Sequence, residues 1–407
     1  MESLTLIFLI FLFLAIFFFS FFVVLLANNY SKIFYYPKPR KKYKISFLVP
    51  AHNEQDSIEE AVRAIFNSKY PIEEVIVIND GSKDNTAGIV KKLQKNYSKL
   101  KLLNKKNSGK ADSLNKGIAI AKGELIAVVD ADSYPEPEAV ERMVGFFDDK
   151  EVGAVTSCVF LKNRDTFFER LQEIEYIILA WTRKLLDFVD SVYVTNGPLS
   201  IYRKSVLKEA GGFDVNSITE DIELTWHILS LGYKTRMSLA SRVYTTVPSK
   251  FKRWWRQRVR WGQGGLETIA KYRKDFLRKG KFGLVVIPFV SFTFLMSIVS
   301  FIFGLYLVYR QIAIGALYTS YSASMQSTIF RVEALNSSPT VMLIMVAILF
   351  IISFGYSSWM FNIMGQEHIT KKERILNRLF YMLVYLTLYP VVLFESIYRA
   401  IRREHKW

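Results

Sequence analysis

The sequence predicts an α/β fold: a mainly parallel, Rossmann-like sheet wound on both faces by helices, joined to an α-helical transmembrane region. Three observations predict it. From residue 45 onward, short apolar runs alternate with helical stretches. Four segments are apolar enough to enter a bilayer, one at the start of the chain and three near its end. Between the first and the other three lie about 250 residues of mixed composition, enough for one large domain with its own core.

The first element is Leu4–Leu26, LTLIFLIFLFLAIFFFSFFVVLL, an uncharged run longer than the roughly 20 residues that span a bilayer. We assign residues 1–27 to a membrane helix. A cleaved signal peptide would need a basic leader, a shorter apolar core and a small-residue cleavage site, none of which is evident. The linker SKIFYYPKPRKKYK is rich in Lys and Arg, so the positive-inside rule puts the following domain in the cytoplasm of a cell-membrane protein.

Within residues 45–250 the expected strands are ISFLVP (45–50), EVIVIN (74–79), LKLLN (100–104), LIAVVD (125–130) and VGAVTSCVF (152–160). Helices are expected over 55–68, 84–96, 110–122 and 136–147, and this βαβα order implies parallel strands. A longer helix over 165–187 and another beginning near SITED follow. Residues 251–282, basic and aromatic, read as an amphipathic interface segment. About three spans then occupy 283–407, near 283–309, 340–361 and 378–398, followed by the basic tail RAIRREHKW. One anchor plus three spans leaves that tail outside. Either 378–398, with Pro390, does not span or the tail breaks the positive-inside rule.

The net charge of +17 raises the question of nucleic acid. The excess clusters instead at 38–44, 250–281, 371–378 and 399–406, beside the membrane segments, where anionic headgroups would meet it. Membrane lipids are therefore expected partners, and nucleic acid is not. The one cysteine, Cys158, cannot form an intramolecular disulfide and is expected to be an inert core residue.

Polar residues punctuate the strand ends, where open α/β sheets bind ligands. Asp80, in INDGSKDNT, follows one strand; the same residues would also make an ordinary turn. Asp130 and Asp132 follow another. Two apart on an extended segment, they can converge on Mg2+ or Mn2+ bridging to phosphate, or form a solvated turn. Lys110 in NSGKADSLNKG can pair with a diphosphate or contact a base, but Ala111 and Asn104 rule out a phosphate-binding Walker loop. In SITEDIELTWHILSLG, Ser217 and Glu220 fit a capping box and Gly232 a helix stop. Asp221 then falls in the first turn, as a general base or a plain capping acid. On a helix Gln257, Arg260 and Trp261 share one face, where they would clamp a diphosphate and support a sugar ring, or lie at a membrane surface. GQGG at 262–265 fails the dinucleotide fingerprint, since Glu267 takes its third glycine position.

VPAHNE (49–54), INDGSKDNT (78–86), SGKADSLN (108–115), DADS (130–133), TNGPLSIYR (195–203), TED (219–221) and QRVRW (257–261) occur in that order. As an ordered set they resemble the membrane-bound processive glycosyltransferases of family 2. The resemblance implies a GT-A fold that binds a UDP-sugar with a divalent cation, Mg2+ or Mn2+. It implies that Asp80 contacts uridine, that Asp130 and Asp132 handle metal and diphosphate, and that Asp221 is the catalytic base. Gln257, Arg260 and Trp261 would hold the diphosphate and the acceptor end, with Glu220 and Lys110 also meeting substrate. Such enzymes invert the anomeric carbon and make β-linked glycans.

TED with QRVRWGQGG is similar to poly-N-acetylglucosamine synthases, NGPLSIYR to hyaluronan synthases, and cellulose synthases also carry TED. UDP-N-acetylglucosamine is the expected donor and a glycan the expected acceptor. Two alternatives stay open: transfer of one sugar to a lipid carrier, and a non-catalytic membrane-anchored protein that binds nucleotide-sugar or RNA.

Overall fold

The structure, a computed structural model, describes residues 2–324, 341–365 and 371–402. The end of the basic tail and the first residue of the expected 340–361 span lie outside them. The chain divides into two compact units, one comprising Met1–Ser291 with the chain from Ser396 onward, the other Phe292–Glu395.

The first unit starts with α1 (Glu2–Asn29), then β1 (Ile45–Ala51), α2 (Ile58–Phe66), β2 (Glu74–Asp80), α3 (Thr86–Leu93), β3 (Leu100–Lys105) and α4 (Lys110–Ile120). It continues through β4 (Leu125–Val128), β5 (Ser133–Pro135), α5 (Glu141–Val144), β6 (Val152–Leu161), α6 (Phe167–Asp187), β7 (Ser200–Arg203) and α7 (Lys204–Glu209). The segment carrying TED is α8 (Glu220–Ser230), followed by β8 (Lys234–Thr245) and α9 (Phe251–Tyr272).

One eight-stranded sheet, ordered β3-β2-β1-β4-β7-β6-β8-β5, organises this unit. β3, β2, β1 and β4 pair in parallel, as do β6 and β8, whereas β7 and β5 run against their neighbours. Alternate residues serve opposite faces, as the pleat requires. Phe47, Val49, Val75 and Val77 join one apolar cluster, and Leu48, Ile76, Ile78, Ile126 and Val128 the other. Both faces are thus covered, which is why these strands read as near-continuous apolar runs.

Three strands escape the sequence reading. β5 and β7 have only three and four residues. β8 has twelve, and its burial alternates over most of its length, a period-two signal that was legible. The 165–187 helix is present, opened by a capping box between Thr166 and Glu169. The box expected at Ser217 is not formed: Thr219 is the N-cap and makes no side-chain cap bond. Glu220 turns instead toward Lys110. Gly232 does end α8, with φ +91°, a conformation that suits glycine.

Cys158 is fully buried, and that burial pushes its thiol up to about 12, so it is un-ionised in the core.

Among the described residues, four helical segments are long and apolar enough to cross a membrane, within Leu9–Lys32, Phe282–Leu317, Ala347–Met364 and Glu373–Arg402. They comprise α1, α10 (Ile287–Ser324), α11 (Val341–Met364), and α12 (Lys371–Leu383) with α13 (Leu388–Arg402). In the first unit, Phe289 at the start of α10 sits against Phe18 and Phe22 of α1, with ring centroids 6.3 and 5.9 Å away. The expected 378–398 segment is interrupted by a 3-10 turn at Tyr385–Thr387. Pro390 lies beyond that break, in the first turn of α13, where a missing N–H is tolerated.

Candidate active site

Asp80 is the last residue of β2, at the carboxyl end of that strand. Lys105 stands opposite it in the β2–β3 register and forms an ion pair with its carboxylate. The N–H groups of Ser108 and Gly109, just before α4, each donate to that carboxylate at 2.9 Å. Asp80 therefore fastens the loop that leads into Lys110, a role invisible in the sequence because Lys105 belongs to no motif.

Lys110 opens α4 and reaches the carboxylates beyond β4. Its Nζ lies 2.6 Å from Asp130 Oδ1 and 3.1 Å from Glu220 Oε1. Burial would favour the neutral amine, but Asp130, then Glu220 and Asp221, hold the ammonium well above its ordinary range. The TNGPLS loop closes over this pair. A Cβ at Gly197 would stand 2.5 Å from Asp130 Oδ2 and 2.9 Å from Lys110 Nζ, so any larger residue would displace this pair of side chains. Thr195 ties the loop to α8 through its hydroxyl, 2.6 Å from that of Thr225.

Asp132 faces the same cluster. Burial, then the charges of Asp130 and Glu54, push its carboxyl up to about 7. Glu54, from AHNE, is raised in turn by burial and by Asp130 and Asp84, against a hydrogen bond from Ser57. A divalent cation would relieve this repulsion, so the donor set fits one. Among the described residues no three His, Cys, Asp or Glu side chains converge to enclose an ion, so donor phosphates and water would complete its shell.

On α8, burial and the neighbouring Glu220 push Asp221 up to about 6, with Lys110 and Arg260 limiting the rise. Glu220 goes the other way. Burial works against its charge, but Lys110 and Arg260 outweigh it and hold the carboxyl below its ordinary value. Two adjacent acids are thereby driven apart, one kept ionised and the other poised to exchange a proton near neutrality.

Arg260 acts on both acids from α9, which carries QRVRW. GQGG explains how α9 comes so close. A Cβ at Gly264 would lie 2.1 Å from Thr219 Oγ1, and one at Gly262 would lie 2.5 Å from Ser396 Oγ. Ser396 also donates to the carbonyl of Val259 at 3.1 Å. These glycines are packing contacts, not a nucleotide loop. Gln257, Arg260 and Trp261 are each partly exposed on this helix.

The structure thus groups Lys110, Asp130, Asp132, Glu220, Asp221 and Arg260, while Asp80 lies at the neighbouring β2 edge. Sequence reasoning missed Glu54, Lys105, Thr219 and the buried Arg258. Glu54 and Thr219 lie within VPAHNE and TED, which was their signal, and Arg258 had a further one in that Trp254 and Trp261, four residues before and three after, mark its face of the helix as aromatic; Lys105 had none.

Residues 46–211 match the family described as glycosyl transferase family 2. The chain is also similar to curated relatives. Poly-beta-1,6-N-acetyl-D-glucosamine synthases of Staphylococcus epidermidis and of Staphylococcus aureus strain MSSA476 are each 31% identical over 247 residues, 60% of this chain and 60% of the relative. The chain thus spans about three fifths of the length of those relatives. A mannosyltransferase from Pyrobaculum calidifontis, solved in complex with GDP-Man and Mn2+, aligns with a TM-score of 0.55 at 18% identity, covering 95% of this chain and 99% of that one. That likeness is one of fold. The expected GT-A class, a mainly parallel sheet with apolar helices, is borne out, and so is the family 2 resemblance.

Proposed function

We propose that this protein is a membrane-bound, UDP-sugar-dependent glycosyltransferase of the hexosyltransferase type. It extends a β-linked polysaccharide from UDP-N-acetylglucosamine, repeatedly, with inversion, and passes the product through its membrane helices. The observation that carries this reading is the cluster of Lys110, Asp130, Glu220 and Asp221, with Arg260 of the QRVRW helix acting on both α8 acids. The likeness to poly-beta-1,6-N-acetyl-D-glucosamine synthases supports the choice of sugar.

In this reading Asp80 contacts the uridine, and Lys110 and Arg260 face the diphosphate. Asp221 as carboxylate takes the proton of the acceptor hydroxyl while that oxygen bonds to the anomeric carbon; the bond to the UDP oxygen breaks on the opposite face and UDP leaves. Glu220, kept ionised, holds Lys110 toward Asp130. Gln257 and Trp261 meet the acceptor end. A divalent cation held by Asp130 and Asp132, Mg2+ or Mn2+, would neutralise charge on the departing diphosphate. Residues 45–250 form the transferase domain on the cytoplasmic side of the cell membrane, with 251–282 as interface segment, and lipid headgroups meet the basic stretches.

The test is UDP release by the detergent-purified protein with a panel of UDP-sugars and Mg2+ or Mn2+, sizing the product. Long product from UDP-N-acetylglucosamine is expected. A product of one added sugar on lipid would replace the polymer reading with the lipid-carrier one. No turnover with any donor would overturn the enzyme reading.

A further inference from the structure

One side chain with several buried partners on the QRVRW helix belongs to none of the roles above. Arg258 of α9 is 2% exposed, and its Nε and Nη2 donate to Glu175 Oε1 and Oε2 of α6 at 2.8 and 2.6 Å. Glu175 is itself 3% exposed on its side chain. The guanidinium carbon lies 4.2 Å from the centre of the Trp261 indole, and Nη1 donates to Gln257 Oε1. Tyr176, the residue after Glu175, has its ring centroid 6.3 Å from that of Trp261.

This geometry uses what only a guanidinium has: a rigid fork for a carboxylate, a further donor edge and a flat face for an aromatic ring. A buried ion pair gives little net stability over well-packed apolar side chains, so its retention points to orientation. The fork fixes the plane of the guanidinium, and that plane supports the indole. Because arginine has no acceptor, Gln257 must turn its Oε1 toward Nη1, which leaves its amide N–H groups directed elsewhere.

We propose that Glu175 and Arg258 form a positioning pair that sets the plane of Trp261 and the amide orientation of Gln257 for the acceptor sugar. The inference rests on the reading above that these two residues meet the acceptor. It assigns acceptor engagement in part to α6, 83 residues away in sequence.

The experiment uses the full chain in detergent, with UDP-N-acetylglucosamine as donor and a short β-linked N-acetylglucosamine oligosaccharide as acceptor. Arg258→Lys keeps the charge and loses the fork and the flat face; Glu175→Gln keeps the shape and weakens the fork. Each is expected to raise the acceptor KM by about tenfold and to shorten the product, with the donor KM within about twofold of the parent; Tm should fall in Glu175→Gln, which leaves the Arg258 charge buried without its carboxylate, and less in Arg258→Lys, which keeps both charges. In a Trp261→Ala, Gln257→Ala background, where both dependent groups are gone, Arg258→Lys is expected to have no further effect on acceptor KM. Unchanged acceptor KM and product length in both single variants would overturn the proposal. So would donor and acceptor KM rising together, or loss of folding in both, which would make the pair purely structural. A parent protein that turns over no donor would overturn the functional reading itself, and this inference with it.

Discussion

Gly264→Ala is the most direct test of how α9 and α8 are held together. In an unconstrained helix interior the change would stabilise by about 1 kcal/mol. Here the new Cβ would lie 2.1 Å from Thr219 Oγ1, 2.5 Å from its Cγ2 and 2.8 Å from its Cβ. Rotating the threonine exchanges one clash for another, so backbone must move. Reaching an ordinary contact of 3.4 Å requires the Oγ1 separation to open by about 1.3 Å. Thr219 immediately precedes Glu220 and Asp221, and a displacement of about 1 Å at reacting groups costs on the order of 100-fold in rate. We therefore expect kcat for UDP release, at saturating donor and metal, to fall by about 100-fold, or roughly 2.7 kcal/mol. Thr219→Ala should rescue it in part. It removes both closest atoms, and the hydroxyl it deletes has no hydrogen-bond partner among the described residues. Gly304→Ala, whose Cβ would meet nothing within 4 Å, is the control. A near-parental kcat in Gly264→Ala would refute the argument, as would a loss of rate that Thr219→Ala leaves untouched while the double variant stays folded.

Three further outcomes are expected. With its carboxyl at about 6 in the free protein, Asp221 is about 90% ionised at pH 7 and about 10% at pH 5, so kcat/KM for the acceptor should fall about tenfold across that interval; a flat profile would remove it as the base. Chelation of divalent cations should silence the enzyme and Mn2+ restore it, and Asp132→Asn should raise the half-saturating Mn2+ concentration by about tenfold, read from rate against metal; equal curves would remove Asp132 from the metal site. Asp80→Asn weakens the hold on Lys105, Ser108 and Gly109, and calorimetry should show UDP affinity about tenfold weaker, roughly 1.4 kcal/mol; unchanged affinity would exclude Asp80 from the donor site.

The sequence by itself determined what short-range pattern can carry. Apolar runs at strand length, separated by helical stretches, specify a mainly parallel sheet covered on both faces, with acidic residues just beyond the ends of two of its strands. Uninterrupted apolar stretches specify bilayer-length helices. The tertiary structure alone decided which charges meet. Lys105 reaches Asp80 through strand register, Lys110 bridges Asp130 and Glu220, and Arg258 finds Glu175 on another helix. It also decided that Gly264 and Gly262 serve close packing and that Glu220 points at a lysine rather than a cap. The physical reason is range. Hydrophobic periodicity and turn chemistry act over a few residues and are written locally. A buried charge takes its partner from whatever the folded chain brings within about 3 Å, and no local pattern encodes that choice.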